Sequence, residues 1–141
     1  MGEVSETAAS LRFSGDELDP AEISRLLGAA PTKSYLMGDP WILPNGQQNS
    51  HGRKTGFWSL SVARIRPGNL DKQIFELFNS LTQDLSIWRD LSRRFNGDIF
   101  AGLFMKSWNE GLQLQPETIV ALASRGLRLD LDIYGAADEK E

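Results

Sequence analysis

The stretch TAASLRFSGDELDPAEISRLLG, residues 7–28, decides the fold. From Thr7 to Phe13 it alternates. Ala9, Leu11 and Phe13 fall on one side, with Ser10, Arg12 and Ser14 on the other, which is the period of a strand wetted on one face. The polar hinge Ser14–Glu17 ends that strand. Asp19 then offers a carboxylate to the orphan amides of a helix start, and Pro20 has its φ pre-set for the first helical position. Ile23, Leu26 and Leu27 form an apolar stripe, and Gly28 stops the helix. A strand feeding a capped amphipathic helix places the chain in the mixed α and β class.

The same reading extends along the chain. Residues 31–56 contain Pro31, Gly38, Pro40, Pro44, Gly46, Gly52 and Gly56, which forbid a continuous helix and leave a long excursion with room for one short strand around Tyr35–Met37. Phe57–Arg64 alternates again, with Trp58, Leu60 and Val62 inward, and ends at Pro67 and Gly68. From Asn69, Ile74, Leu77, Phe78 and Leu81 recur at helical spacing, followed by Leu85, Trp88, Leu91 and Phe95. This predicts one helix bent near Asp84 or two consecutive helices. Asn96 and Gly97 predict a turn, Ile99–Trp108 a strand, and Pro116 the start of a helix carrying Ile119, Leu122 and Ala123 to Gly126. Leu127–Tyr134 reads as the last strand, with Leu127, Leu129, Leu131 and Ile133 inward and Arg128, Asp130, Asp132 and Tyr134 outward.

Leu18, Pro20, Ile23 and Leu26 are echoed at Leu114, Pro116, Ile119 and Leu122, a constant offset of 96. Two split βαβ halves of this kind make an α+β fold with a ferredoxin-like antiparallel sheet, and residues 69–95 become an extra helical segment between the halves. The chain is read as one domain over 7–134. A flexible N-terminal tail at 1–6 and a flexible acidic tail at 135–141 flank it, since small polar ends cannot repay the entropy of ordering.

The residues just described also carry a resemblance. The opening LRFSGDELDPAEISRLLGAAPT, the strand GFWSLSV and the ending LASRGLRLDLDIYG resemble the bacterial family known as domain of unknown function 4279. The likeness runs from Leu11 to Tyr134 and rests on Asp19-Pro20, Pro31-Thr32, Gly38, Trp58-Ser59-Leu60 and Asp132-Ile133-Tyr134. Residues 47–54 match nothing in it. It implies a small α+β domain and supplies no activity, cofactor or catalytic residue.

Composition narrows the function classes. A chain of 141 residues with 40% hydrophobic and 24% charged residues is ordinary globular material, able to bury roughly two thirds of its unfolded surface. With no cysteine there is neither a disulfide nor a thiolate to bind metal or attack a substrate. No apolar run is long enough to span a membrane and the N-terminus lacks the order of a signal peptide, so the expected location is cytoplasmic, with no membrane partner. A net charge of −4 and the absence of a basic cluster argue against nucleic acid.

Site chemistry is sparse. His51 is the only histidine and sits in a polar loop, so a nucleophile–base pair has no visible base partner. One histidine without cysteine gives no metal site, and the glycines form no phosphate cradle, so no catalytic residue, metal or cofactor is assigned. Asp130 and Asp132, about 7 Å apart on one strand face, are spaced for acid and base work, or are ordinary surface carboxylates flanking Arg128. Trp41 lies in the excursion and Trp108 at a strand end, where either could anchor a partner or pack on a neighbouring loop. Lys33, Arg53 and Lys54 make the excursion cationic beside an acidic final strand. If that strand neighbours the first, Arg12 shares a face with Asp130, Asp132 and Tyr134, and Trp108 lies near its rim. The expectation is a non-enzymatic binding or interaction domain, such as an accessory or toxin-neutralising, immunity-like protein. Its partner is an unspecified protein or small ligand and its oligomeric state is open. The alternative is a small hydrolase or ligand-processing enzyme using Asp130, Asp132 and His51.

Overall fold

The computed structural model describes residues 2–136. In chain order the elements are β1 (Gly2–Glu3), β2 (Glu6–Gly15), α1 (Pro20–Leu27), β3 (Lys33–Tyr35), β4 (Gly56–Ser61), α2 (Leu70–Asn79), α3 (Leu85–Arg94), β5 (Asn96–Phe104), β6 (Glu110–Gly111), α4 (Pro116–Ser124) and β7 (Arg128–Tyr134). Five strands form one mixed sheet in the order β3-β4-β2-β5-β7, and β1 pairs with β6 in a small parallel ribbon. Within the large sheet β3·β4, β4·β2 and β2·β5 are antiparallel, and β5·β7 is parallel.

This is a mixed α and β fold, but the sheet order departs from the ferredoxin-like arrangement expected. The last strand lies beside β5 rather than beside β2, because α4 makes a parallel crossover from β5 to the adjacent β7, whereas α1 crosses from β2 to β3, which runs parallel to it with β4 inserted between them. The echo between the two helix starts therefore reduces to a proline in the first turn of each, since α4 lacks the side-chain cap that Asp19 gives α1, and the two halves do not repeat a topology.

Local chemistry explains the elements. Asp19 Oδ1 accepts the Ala21 amide at 3.1 Å, and Gly28 closes α1 at φ 85°, the left-handed region that glycine enters freely. Asp84 interrupts the long helical stretch by capping α3 through the Ser86 amide at 2.9 Å, so the two-helix alternative holds. Asn96 and Gly97 lie inside β5 instead of forming a turn. Gly97 is needed for closeness: a Cβ there would stand 2.7 Å from Phe13 Cε1 and 2.9 Å from Leu127 Cδ2. β5 accordingly ends at Phe104, before the expected end at Trp108.

The core lies between the sheet and the helices. Ala9, Leu11 and Phe13 of β2, Trp58 of β4, and Ile99, Ala101 and Leu103 of β5 are buried with Ile23 and Leu27 of α1, Leu70, Ile74, Leu77 and Phe78 of α2, Trp88 and Leu91 of α3, and Leu122 of α4. Trp58 Nε1 donates to Ser24 Oγ of α1 at 2.9 Å, and buried Gln73 of α2 accepts from Thr7 Oγ1 and donates to the Thr7 carbonyl. The helical layer thus covers the odd-numbered face of β2.

Two local expectations change. Residues expected as an N-terminal tail carry β1 and the start of β2. Val4, 3% exposed, joins the core, and its amide donates to Gly111, which ties the segment down. Leu131 and Ile133 point to the helix side but stay 47% and 58% exposed, because the nine-residue α4 does not cover the outer half of β7. Of the expected acidic tail 135–141, residues 137–141 lie outside the described residues. Among the described residues no helix is long and apolar enough to cross a membrane.

Candidate functional site

Residue numbering and register together bring the even-numbered side chains of β2 onto the sheet face away from the helices. One lateral row runs Lys33, Ser59, Arg12, Asp98, Arg128 across all five strands. The next runs Ser61, Ser10, Phe100, Asp130, and beyond it come Ala8, Gly102, Asp132 and then Glu6, Phe104, Tyr134. The site is thus assembled by long-range pairing, with its residues drawn from every strand of the sheet.

Its electrostatic centre is a guanidinium–carboxylate fork. Arg12 Nε donates to Asp98 Oδ1 at 2.9 Å and Nη2 to Oδ2 at 2.6 Å, a bidentate geometry that fixes both groups. Asp98 is only 4% exposed, whereas Asp130 lies further out, 3.9 Å from Arg12 and 3.5 Å from Arg128. Burial pushes Asp98 above the ordinary carboxylate range despite the Arg12 bond. Hydrogen bonding with Asp98 holds Asp130 below it, helped by Arg128. The fork also raises Arg12 above its usual value.

Aromatic groups fill the rest of the face. The Arg12 guanidinium lies 4.1 Å from the Phe100 ring centre. Phe104 and Tyr134 stack at 4.8 Å with only 5° between their planes, and Arg64 caps Phe104 at 3.8 Å. A Cβ at Gly102 would come within 3.1 Å of the Phe104 ring, so this position lets the ring lie flat against the sheet. Glu6 receives Arg64 at 2.6 Å and Arg66 at 2.9 Å, which holds its carboxyl below the usual range. The Tyr134 hydroxyl donates to Asp132 at 2.6 Å, raising the phenol's own titration.

The excursion sits at the opposite margin. Arg53 lies between Tyr35 at 4.1 Å and Trp41 at 4.9 Å, and Tyr35 stacks on Phe57. Trp41 is therefore packed on its own loop, and Lys33, Trp41 and Arg53 form one cluster, beside the β3 edge. This margin is four strands away from β7, so the cationic excursion is not adjacent to Asp130 and Asp132 as expected. His51 is exposed in the same excursion, and its amide donates to Asn49 Oδ1. The structure therefore does not bring it to the carboxylates.

Trp108 is 87% exposed, on the loop that joins β5 to β6. The loop is built around Glu110, whose carboxylate accepts from the Lys106 and Ser107 amides and from the Ser5 amide and hydroxyl. Burial pushes Glu110 up, but these donors outweigh it and leave its carboxyl below the ordinary range.

Arg12, Asp130, Asp132 and Tyr134 therefore share the open face as expected, though by way of β5 and not through direct contact of β2 with β7. The decisive members the sequence reading missed are Asp98, Phe100 and Phe104. Asp98 falls between the turn expected at Asn96-Gly97 and the strand expected over Ile99–Trp108; its alternation with Phe100 and Phe104 is the available signal. Clefts of 370–480 Å³ lie elsewhere, one lined by Val4, Asn69, Asp71 and Gln115, another by Ser86, Arg89, Ser92 and Arg93. None of these is lined by Asp98, Asp130 or Asp132.

No curated protein and no solved structure matches the chain significantly. A family model does, over residues 5–136, which spans every strand of the large sheet and all four helices. On that match the chain belongs to the family described as domain of unknown function (DUF4279).

Proposed function

We propose that the protein is a non-enzymatic binding domain that engages a protein partner through the open face of its sheet. One observation carries the reading: an entire sheet face, bare of helices, displays an ion-pair row beside stacked aromatic rings. Interfaces favour this combination of aromatic anchors and arginine with charges of both signs, the charges giving register and the rings giving contact area. An accessory or toxin-neutralising role, in which the domain masks its partner, fits a small acidic globule of this build, and the net charge of −4 favours a protein over a nucleic acid.

The test is affinity capture from the native cell extract, comparing the parent with the Asp132→Ala/Tyr134→Ala variant. The reading expects a partner retained by the parent and lost by the variant at unchanged melting temperature. Equal capture by both would overturn it.

A second reading is favoured by one observation, the buried Asp98 lying beneath the more exposed Asp130 with Arg12 reaching both, two carboxylates in unlike surroundings as an acid and a base require. In this reading a substrate would meet Asp130 at the surface and Asp98 beneath it. Asp98→Asn should then abolish hydrolysis across a panel of ester, phosphoester and glycoside substrates. Parent and variant with the same background rate would dismiss it.

A further inference from the structure

We infer that the free edge of β7 accepts an extended strand from the partner, and that this strand alternates apolar with basic residues. The inference rests on the open-face reading and adds to it the element engaged and the chemistry of the occupant.

The main chain supplies the template. β7 ends the sheet order, with β5 as its neighbour. The Met105 amide donates to the Tyr134 carbonyl. In a parallel ladder, alternate residues of a strand turn both main-chain groups toward the neighbour. Even-numbered residues of β7 therefore bond to β5, and Leu129, Leu131 and Ile133 direct their amides and carbonyls outward. Such a row is ready to pair with another chain.

The side chains beside it are apolar on the helix side. Among the described residues nine large hydrophobics are exposed, and four of them are Leu131 and Ile133 of β7 and Ile119 and Val120 of α4, the helix packed on β7. Exposed apolar surface is thus concentrated along this margin, where an added strand would cover it.

Charge selects the occupant. A second copy pairing antiparallel about Leu131 would set Asp130 against Asp132 of the other copy, twice. Pairing about Asp132 would set that carboxylate against itself, and pairing about Asp130 would do the same between two Arg128–Asp132 pairs. Pairing about Leu129 is charge-matched, with Arg128 against Asp130, but overlaps only residues 128–130 of the strand. Like charges directly opposite destabilise a strand pair, so the register that overlaps the whole of β7 opposes self-association. A strand with lysine or arginine facing Asp130 and Asp132 reverses these like-charge contacts over the same length. Its intervening apolar residues fall beside Leu129, Leu131 and Ile133, the arrangement of strand addition to a sheet edge.

The probe is an end-blocked heptapeptide alternating lysine and valine, with a glutamate–valine peptide as control, each titrated into the full chain by fluorescence anisotropy. The lysine peptide is expected to bind and the glutamate peptide not. Asp132→Lys should weaken the lysine peptide by about tenfold and admit the glutamate peptide, as charge reversal does at a paired site. Leu131→Pro removes an outward amide and no bond to β5, so it should abolish binding of the lysine peptide with the circular dichroism spectrum intact. If that variant does not fold, a lysine peptide N-methylated on its valines replaces it and should not bind the parent.

Equal binding of both peptides, indifference to Asp132→Lys, or undiminished binding to Leu131→Pro or of the N-methylated peptide overturns the inference. So does a concentration-dependent dimer in sedimentation that Leu131→Pro dissolves, since a second copy would then occupy the edge. In the capture experiment, a partner lost by Asp132→Ala/Tyr134→Ala but kept by Leu131→Pro overturns edge addition and leaves the open-face reading standing.

Discussion

At the scale of single residues, the molecule separates groups that hold the fold from groups that dress its surface. Trp58 belongs to the first kind. It is fully buried and its indole nitrogen is satisfied by Ser24, so Trp58→Ala leaves both a cavity and an unpaired hydroxyl. The expected loss is about 3–5 kcal/mol, measured by urea denaturation. Asp98 is an intermediate case. Removing it by Asp98→Ala strands Arg12, but the guanidinium keeps a third of its surface in water, so the expected loss in the same measurement is about 1–3 kcal/mol. The inward role of Trp58 was readable from its alternation with Leu60 and Val62. Asp98 was not readable as a partner of Arg12, because the two lie 86 positions apart and only the register joins them.

At the scale of elements, capping chemistry was the most legible part of the sequence. Asp19, Pro20 and Gly28 bound α1 where expected, and Asp84 decided that residues 69–95 form two helices. The wetted half of β7 was less legible, since alternation places Leu131 and Ile133 on the helix side without telling how far α4 reaches. The loop carrying Trp108 shows how an exposed aromatic can be held ready. Five donors from Ser5, Lys106 and Ser107 converge on one carboxylate, Glu110. Its lowered titration fixes the sign of the pH response. A depressed carboxyl contributes its stabilisation above its unfolded value near 4.5 and loses it as pH falls through the lower folded value. The Trp108 indole resonance should therefore stay constant from neutral pH to about 5 and shift below 4.5, and Glu110→Gln should remove that response. A shift centred near pH 6 would show that another group governs the loop.

At the scale of the whole molecule, the class of the fold followed from local patterns but the strand order did not. Periodicity gives the face a residue occupies, whereas the side on which the last strand is laid depends on the α4 crossover, a choice written in packing across the sheet. Arg12, Asp130, Asp132 and Tyr134 still share a face, because strand parity survives a change of order: β5 stands between β2 and β7, and the even-numbered residues stay in line. That face is bare because all four helices lie on the other side, and its outer residues on β7 serve recognition and not stability. Chemical denaturation of the Asp132→Ala/Tyr134→Ala double variant tests this most directly. Its free energy of unfolding is expected within about 0.5 kcal/mol of the parent, as for exposed side chains elsewhere. A loss of a few kcal/mol would show these residues to be part of the folded core, and would contradict it.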